Sequence, residues 1–285
     1  MIPGELYPWT GAFHEVDGGR MHVLDEGPRD APVILAVHGN PTWSFYWRAL
    51  ITQFADRYRV VVPDHIGCGL SDKPQDWPYQ LEGHVSNLVQ VIEALDLHNV
   101  TLVVHDWGGA IGMGAAERVA DRIARIVVTN TAAFRSRSIP ASIASCRIPG
   151  FGAVAVRGFN GFAWAATWRT TVRPLDPAVK QGLTHPYDSW QNRIATLRFV
   201  EDIPMRPGHP SWQTLVDIED GLAALSDKPM LVLWGEQDWC FTPAFREEWQ
   251  ARFPEAEVHA WDDVGHYVME DAPERVCRAI EAFTA

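Results

Sequence analysis

Short runs dominated by Val, Ile and Leu alternate along this chain with stretches in which apolar residues return every three or four positions. Those two periods predict buried strands and packed helices. Phe13–Val16 and Met21–Leu24 flank Asp17-Gly18-Gly19, a hairpin signal. Val33–His38 predicts a third strand and Trp43–Phe54 a helix with aromatic and apolar residues on one side. Arg59–Val62 follows as a strand. Gly83–Leu95 carries Val85, Leu88, Val89, Ile92 and Leu95 at helical spacing. Val100–Val104 is a β-branched strand, Ala110–Val119 a helix with small residues on its packing face, and Ile123–Thr129 another buried strand. Strands alternating with helices imply a mainly parallel sheet covered on both faces.

The pattern changes at about Phe134. From there to Leu225 no convincing buried strand occurs, and aromatic residues stand amid Pro, Gly and Arg. This predicts a helical insertion. The sheet resumes at Met230–Trp234, adds a short edge strand at Glu257–Ala260 and closes with a helix over Pro273–Phe283. The expected organisation is an α/β core of residues 1–133 and 225–285, with eight mostly parallel strands, and a helical cap of residues 134–224.

Three loops at strand ends carry the candidate chemistry. His105-Asp106-Trp107-Gly108-Gly109 leaves room only for a sharp strand-to-helix turn, the geometry of a nucleophile elbow. Asp106 stands at its tip, where an esterase would carry Ser. A carboxylate there can attack an sp³ carbon and form an alkyl ester of the enzyme. Asp238 follows a later strand and His266 the last one, so all three reach the carboxyl edge of the sheet. The chain order is nucleophile, acid, histidine. His266 cannot activate a carboxylate that is already charged; its task is to take a proton from water that attacks the ester. Asp238 would fix the His266 tautomer and stabilise the imidazolium. Asn130 occupies another place where an acid could sit, but an amide cannot do that work. The backbone N–H groups of Trp107 and Asn40 fit an oxyanion hole, and the Trp107 indole and Asn40 amide add two neutral donors suited to a soft anion.

Composition removes several alternatives. The 285 residues carry a net charge of −12, which argues against nucleic acid and against simple docking on anionic lipid. Cys68, Cys146, Cys240 and Cys277 are scattered, so neither a metal site nor a disulfide framework is expected, no cofactor is called for, and a reducing cytoplasm fits. The N-terminus lacks the marks of a signal peptide. The glycines of Pro63 to Pro74 do not spell a phosphate loop, and a brace at the end of the sheet is the simpler reading.

The motifs His-Gly-Asn-Pro-Thr-Trp at 38–43, His-Asp-Trp-Gly-Gly at 105–109, Gly-His-Tyr-Val-Met-Glu-Asp at 265–271 and the loop at 63–74 resemble the haloalkane dehalogenases of the α/β-hydrolase superfamily. The resemblance implies Asp106 as nucleophile, His266 as base and Asn40 with Trp107 as a halide-stabilising pair. An acid after the seventh strand, with Asn at 130, resembles the third subfamily. Tyr-Asp-Ser-Trp-Gln-Asn-Arg-Ile at 187–194, Arg-Phe-Val-Glu-Asp-Ile-Pro at 198–204 and His-Pro-Ser-Trp at 209–212 resemble the β-lactone decarboxylases of bacterial long-chain olefin biosynthesis. Those relatives convert a cis-3,4-dialkyl β-lactone to a cis-alkene and carbon dioxide. The expectation is therefore the decarboxylase, with the haloalkane dehalogenase as the alternative. An epoxide hydrolase would want two tyrosines in the cap, and Tyr187 is the only one between 134 and 225. A catalytically dead ligand receptor would typically have lost a triad member.

Arg147 to Arg173 carries apolar residues on more than one helical face, beyond what lining a pocket requires. The expectation is self-association or assembly with a pathway enzyme through the cap, in preference to membrane insertion.

Overall fold

The computed structural model describes residues 4–285. Eight strands form one sheet: β1 (Ala12–Val16), β2 (Gly19–Glu26), β3 (Val33–Val37), β4 (Arg59–Pro63), β5 (Val100–Asp106), β6 (Ile123–Thr131), β7 (Met230–Gly235) and β8 (Glu257–Trp261). Their order is β1-β2-β4-β3-β5-β6-β7-β8. β2 is antiparallel to β1 and β4, and every other pairing is parallel. The eight-stranded, mostly parallel α/β sheet expected from the apolar pattern is present.

β3, β5 and β7 are buried at every position because both faces of the sheet are covered. Successive side chains feed opposite cores. Val33, Leu35 and Val37 join the helices α2 (Leu81–Ala94) and α3 (Trp107–Arg118). Ile34 and Ala36 join α1 (Arg48–Phe54) and the C-terminal helix α11 (Pro273–Thr284) on the other face. Between β6 and β7 the chain forms no strand. It folds instead as α4 (Ala141–Ser145), a π-helical stretch at Ala153–Gly158, α5 (Gly161–Arg169), α6 (Pro177–Thr184), α7 (Ile194–Glu201) and α8 (Trp212–Gly221).

Several boundaries move for physical reasons. Trp43–Phe54 splits into a 3-10 turn over Ser44–Trp47 and α1. α3 begins at Trp107, directly after the tip of the elbow, without a linker. Two helices, α9 (Pro243–Arg252) and the short α10 (Val268–Asp271), have weak or brief apolar periodicity and escape a reading by pattern.

The Pro63–Pro74 loop is a brace. Asp64 is fully buried and accepts the Ser44 N–H at 2.6 Å and the Leu70 N–H at 3.0 Å, while the His22 ring lies 2.9 Å away. His65 donates its backbone N–H to His38 Nε2 at 3.0 Å, which ties this loop to the one following β3.

The two glycines after Asp106 are required by closeness. A Cβ on Gly108 would strike the Val37 carbonyl, and one on Gly109 would strike the Thr131 side chain. Backbone cannot move aside as a side-chain end can. Gly108→Ala is expected to cost about 1–3 kcal/mol, the scale of overpacking, read as a lower denaturant midpoint. Gly158→Ala, whose added Cβ has nothing closer than 3.9 Å, serves as the neutral comparison.

Candidate active site

β5 delivers Asp106 at its C-terminal end, with φ 52° and ψ −126°. A non-glycine residue is rare in that region, and such strain is characteristic of a nucleophile elbow. It is held by what surrounds it: Thr131 Oγ1 donates to the Asp106 carbonyl. The turn aims the carboxylate away from the strand, so its two oxygens meet different partners. Oδ1 accepts the Asn40 backbone N–H at 2.6 Å, and the Trp107 N–H also stabilises the charge. Oδ2 lies 3.7 Å from His266 Nε2.

His266 comes from the loop after β8 and Asp238 from the loop after β7. His266 Nδ1 and Asp238 Oδ2 are 2.7 Å apart. Asp238 Oδ1 accepts the Cys240 N–H at 2.7 Å, which fixes the carboxylate plane. On the other side of His266 the Phe241 ring stacks at 5.7 Å between centroids. Fold and hydrogen bonds thus bring Asp106, His266 and Asp238 into one line at the carboxyl edge of the sheet.

Electrostatics follow from burial. Desolvation raises the Asp106 pKa; the His266 charge and the N–H groups of Trp107 and Asn40 pull it back without cancelling the rise. For His266, burial disfavours the cation, but Asp238 and then Asp106 outweigh it, so its pKa is raised above that of free imidazole. The arrangement therefore favours a positive imidazolium between two carboxylates.

Two chambers meet above Asp106, and both are bounded by Asn40, Asp106, Ile143, Phe162 and Cys240. One continues past Trp107 towards Val200, Ile203, Met205 and Leu215. The other continues past His266 and Tyr267 towards Phe151, Ala155 and Ala165. They enclose about 890 and 910 Å³, solvent at their mouths included. Mainly apolar walls converging on a few polar groups suit an organic ligand. Asn40 reaches both chambers, and its Nδ2 donates to the Thr196 carbonyl at 3.1 Å, joining the loop after β3 to α7. Tyr187 is fully buried and donates to the Thr42 carbonyl at 3.2 Å; it ties the segment between β6 and β7 to the loop after β3 and borders neither chamber.

Asn130, which sequence reasoning set aside because an amide cannot serve as the acid, belongs here in another role. β6 carries a bulge: His105 pairs with Thr129 and Asp106 with Thr131, leaving Asn130 as the extra residue. The bulge turns the fully buried Asn130 towards β7. Its Nδ2 donates to Asp238 Oδ2 at 2.9 Å and to the Gly235 carbonyl at 3.0 Å, while its Oδ1 accepts the Gly235 N–H at 2.8 Å. No residue can make all three bonds unless it is a primary amide. The available signal was an Asn, where an apolar residue would be usual, at the end of a β-branched strand.

The chain belongs to the alpha/beta hydrolase fold family, whose model matches residues 32–273. Among curated relatives, cis-3-alkyl-4-alkyloxetan-2-one decarboxylases of Shewanella oneidensis and Xanthomonas campestris pv. campestris are each 42% identical. The first alignment covers 98% of this chain and 89% of the relative, the second 93% and 92%. Haloalkane dehalogenase 2 of Mycobacterium tuberculosis is 32% identical over 97% of this chain and 95% of its own. In three dimensions the chain is similar to the haloalkane dehalogenase DatA from Agrobacterium tumefaciens, with a TM-score of 0.86 at 28% identity over 96% of each chain. These likenesses are those of an enzyme, and both families named from the motifs are among them.

The Asn130 bonds lead to a mutational expectation. Asn130→Ala strips a buried partner from Gly235 and from Asp238, and unsatisfied buried groups cost about 1–3 kcal/mol. Chemical denaturation should show a loss of that size. Turnover should fall as well, because one of the bonds that orients Asp238 is gone.

Proposed function

We propose that this protein is a β-lactone decarboxylase that converts a cis-3,4-dialkyl oxetan-2-one to a cis-alkene and carbon dioxide, with Asp106 as nucleophile. The observation that carries the reading is the forked apolar cavity over a single carboxylate, in a chain 42% identical to two decarboxylases of such lactones. A β-lactone with two alkyl arms fits a fork; a short haloalkane does not need one.

The chemistry follows from the two faces of Asp106. Oδ2 attacks C4 of the lactone from the side opposite the ring oxygen. The C4–O bond breaks, and the freed carboxylate stays on C3, where Trp107 and Asn40 offer donors. In-line attack leaves the new C4–Oδ2 bond anti to the C3–carboxylate bond. Loss of carbon dioxide then sends the C3 electron pair into a C3=C4 double bond and expels Asp106 as a carboxylate. Inversion followed by anti elimination turns a cis lactone into a cis alkene, and neither water nor a proton is consumed. Oδ1 keeps its bond to the Asn40 N–H from ground state through ester to product. In this sequence a proton on His266, favoured by Asp238, lowers the energy of the departing Asp106 carboxylate. In a dehalogenase the same imidazole would have to be neutral to deprotonate water.

That difference gives the test. Purified protein is incubated with a long-chain cis-β-lactone and, separately, with a dibromoalkane, and alkene and bromide are measured. The expected result is alkene from the lactone, abolished in Asp106→Asn, with His266→Ala slowed but still making alkene. Bromide release by wild type, stalled in His266→Ala with Asp106 alkylated in the intact mass, and no alkene from the lactone would establish the dehalogenase instead.

Among the described residues no helix is long and apolar enough to cross a membrane. The acidic chain with its unpaired cysteines fits a cytoplasmic setting. Residues 134–224 act as a cap over the core. On the outside of that cap Phe159 is 79% exposed, with Trp164 and Trp168 exposed beside it. Such a patch is covered best by a second copy of the chain. Phe159→Glu with Trp168→Glu should lower the mass seen by light scattering while Asp106 stays reactive. A wild type that is monomeric at high concentration would remove the idea.

A further inference from the structure

The fork divides the catalytic groups as well as the space. Trp107 borders only the first chamber, and His266 with Tyr267 only the second. Asp106 and Asn40 stand at the junction, between Ile143, Phe162 and Cys240. Beyond the junction the walls are mainly apolar on both sides. In the first chamber they include Val200, Ile203, Met205 and Leu215; in the second, Phe151, Ala155 and Ala165. Arg169 and Trp239 also border the second chamber, the guanidinium over the indole ring at 4.7 Å. Two mainly apolar arms leading to one carboxylate are costly to keep filled with water, and a two-armed ligand removes that cost from both.

We propose that the two chambers sort the two chains of the lactone: the 3-alkyl chain lies in the Trp107 chamber and the 4-alkyl chain in the His266 chamber. The assignment rests on the decarboxylase reading and follows from its geometry. Attack by Oδ2 fixes C4 against the carboxylate, on the side that faces His266. The released carboxylate is carried by C3 and points to the donors of Asn40 and Trp107, so C3 is drawn towards the Trp107 side. Both alkyl groups leave the same face of a cis ring, and the junction residues Ile143 and Phe162 part them. Ile203 and Met205 then limit the 3-alkyl chain, and Ala155 and Ala165 the 4-alkyl chain.

The test uses two unsymmetrical cis-β-lactones, one with a long 3-alkyl and a methyl at C4, the other with the lengths exchanged. Ile203→Trp and Met205→Trp plug the first chamber; Ala155→Trp and Ala165→Phe plug the second. Two plugs for each chamber guard against one that fails to fold, and melting curves identify it. The readout is the ratio of kcat/KM for alkene formation between the two lactones. First-chamber plugs should shift it by about 10–200-fold against the long 3-alkyl lactone, the range over which an apolar pocket discriminates. Second-chamber plugs should shift it as far the other way. Opposite signs from those expected would overturn the assignment, and equal losses on both lactones would overturn sorting itself. If wild type made no alkene from either lactone, the decarboxylase reading would fail first, and that result differs from every other outcome.

Discussion

Asp106 is 8% exposed and sits where two apolar chambers meet. A lone carboxyl in such a place takes a proton in preference to paying for a buried charge. Two elements of the surroundings oppose that. The Asn40 N–H solvates one oxygen, the Trp107 N–H also stabilises the charge, and the His266–Asp238 pair lies near the other oxygen. The balance leaves the pKa raised but the oxygen facing His266 without a direct hydrogen bond from the ring, at 3.7 Å. The nucleophilic role proposed for Asp106 needs that combination: charge retained, solvation incomplete. Neighbouring features can be traced to it, including the positive φ, the glycines at 39, 108 and 109 that let backbone approach, and the brace through His65 and Asp64 that holds the Asn40 loop.

The parts of this arrangement legible in the sequence are those set by local pattern. A β-branched run, a short turn with two glycines and a small-residue helix cannot pack in many ways, so β5, Asp106 and α3 could be read directly. Asp238 and His266 could be read because each follows a strand, and parallel strands send their C-terminal loops to one edge. The limits came from tertiary packing. Asn130 looked like the residue after a strand, whereas it is the bulged residue inside one, and only the pairing of β5 with β6 reveals where its amide points. Thr196 offers no motif at all, yet its carbonyl receives the Asn40 side chain from a distance of 156 residues in the chain. α9 escaped because its buried residues, Phe245 and Trp249, are four apart and otherwise surrounded by charge.

The apolar surplus between Arg147 and Arg173 shows how one short helix serves two demands. On α5, Phe162, Ala165, Ala166 and Arg169 fall at the spacing of a single face and border the second chamber. Trp164 and Trp168 lie four apart on another face and are 61% and 57% exposed. In the middle of that face stand Ala165 and Ala166, where a larger side chain would fill the space the chamber needs. The outer face carries two indoles, their ring centroids 5.9 Å apart, with the Lys180 ammonium over Trp168. An indole exposed to water gains little unless something covers it, and a cation–π contact offsets only about 0.5–1 kcal/mol at such a site. Lining the cavity explains the inner face completely and the outer face not at all, so the two faces answer to separate constraints. One is the shape of the ligand, the other the surface that α5 presents outward.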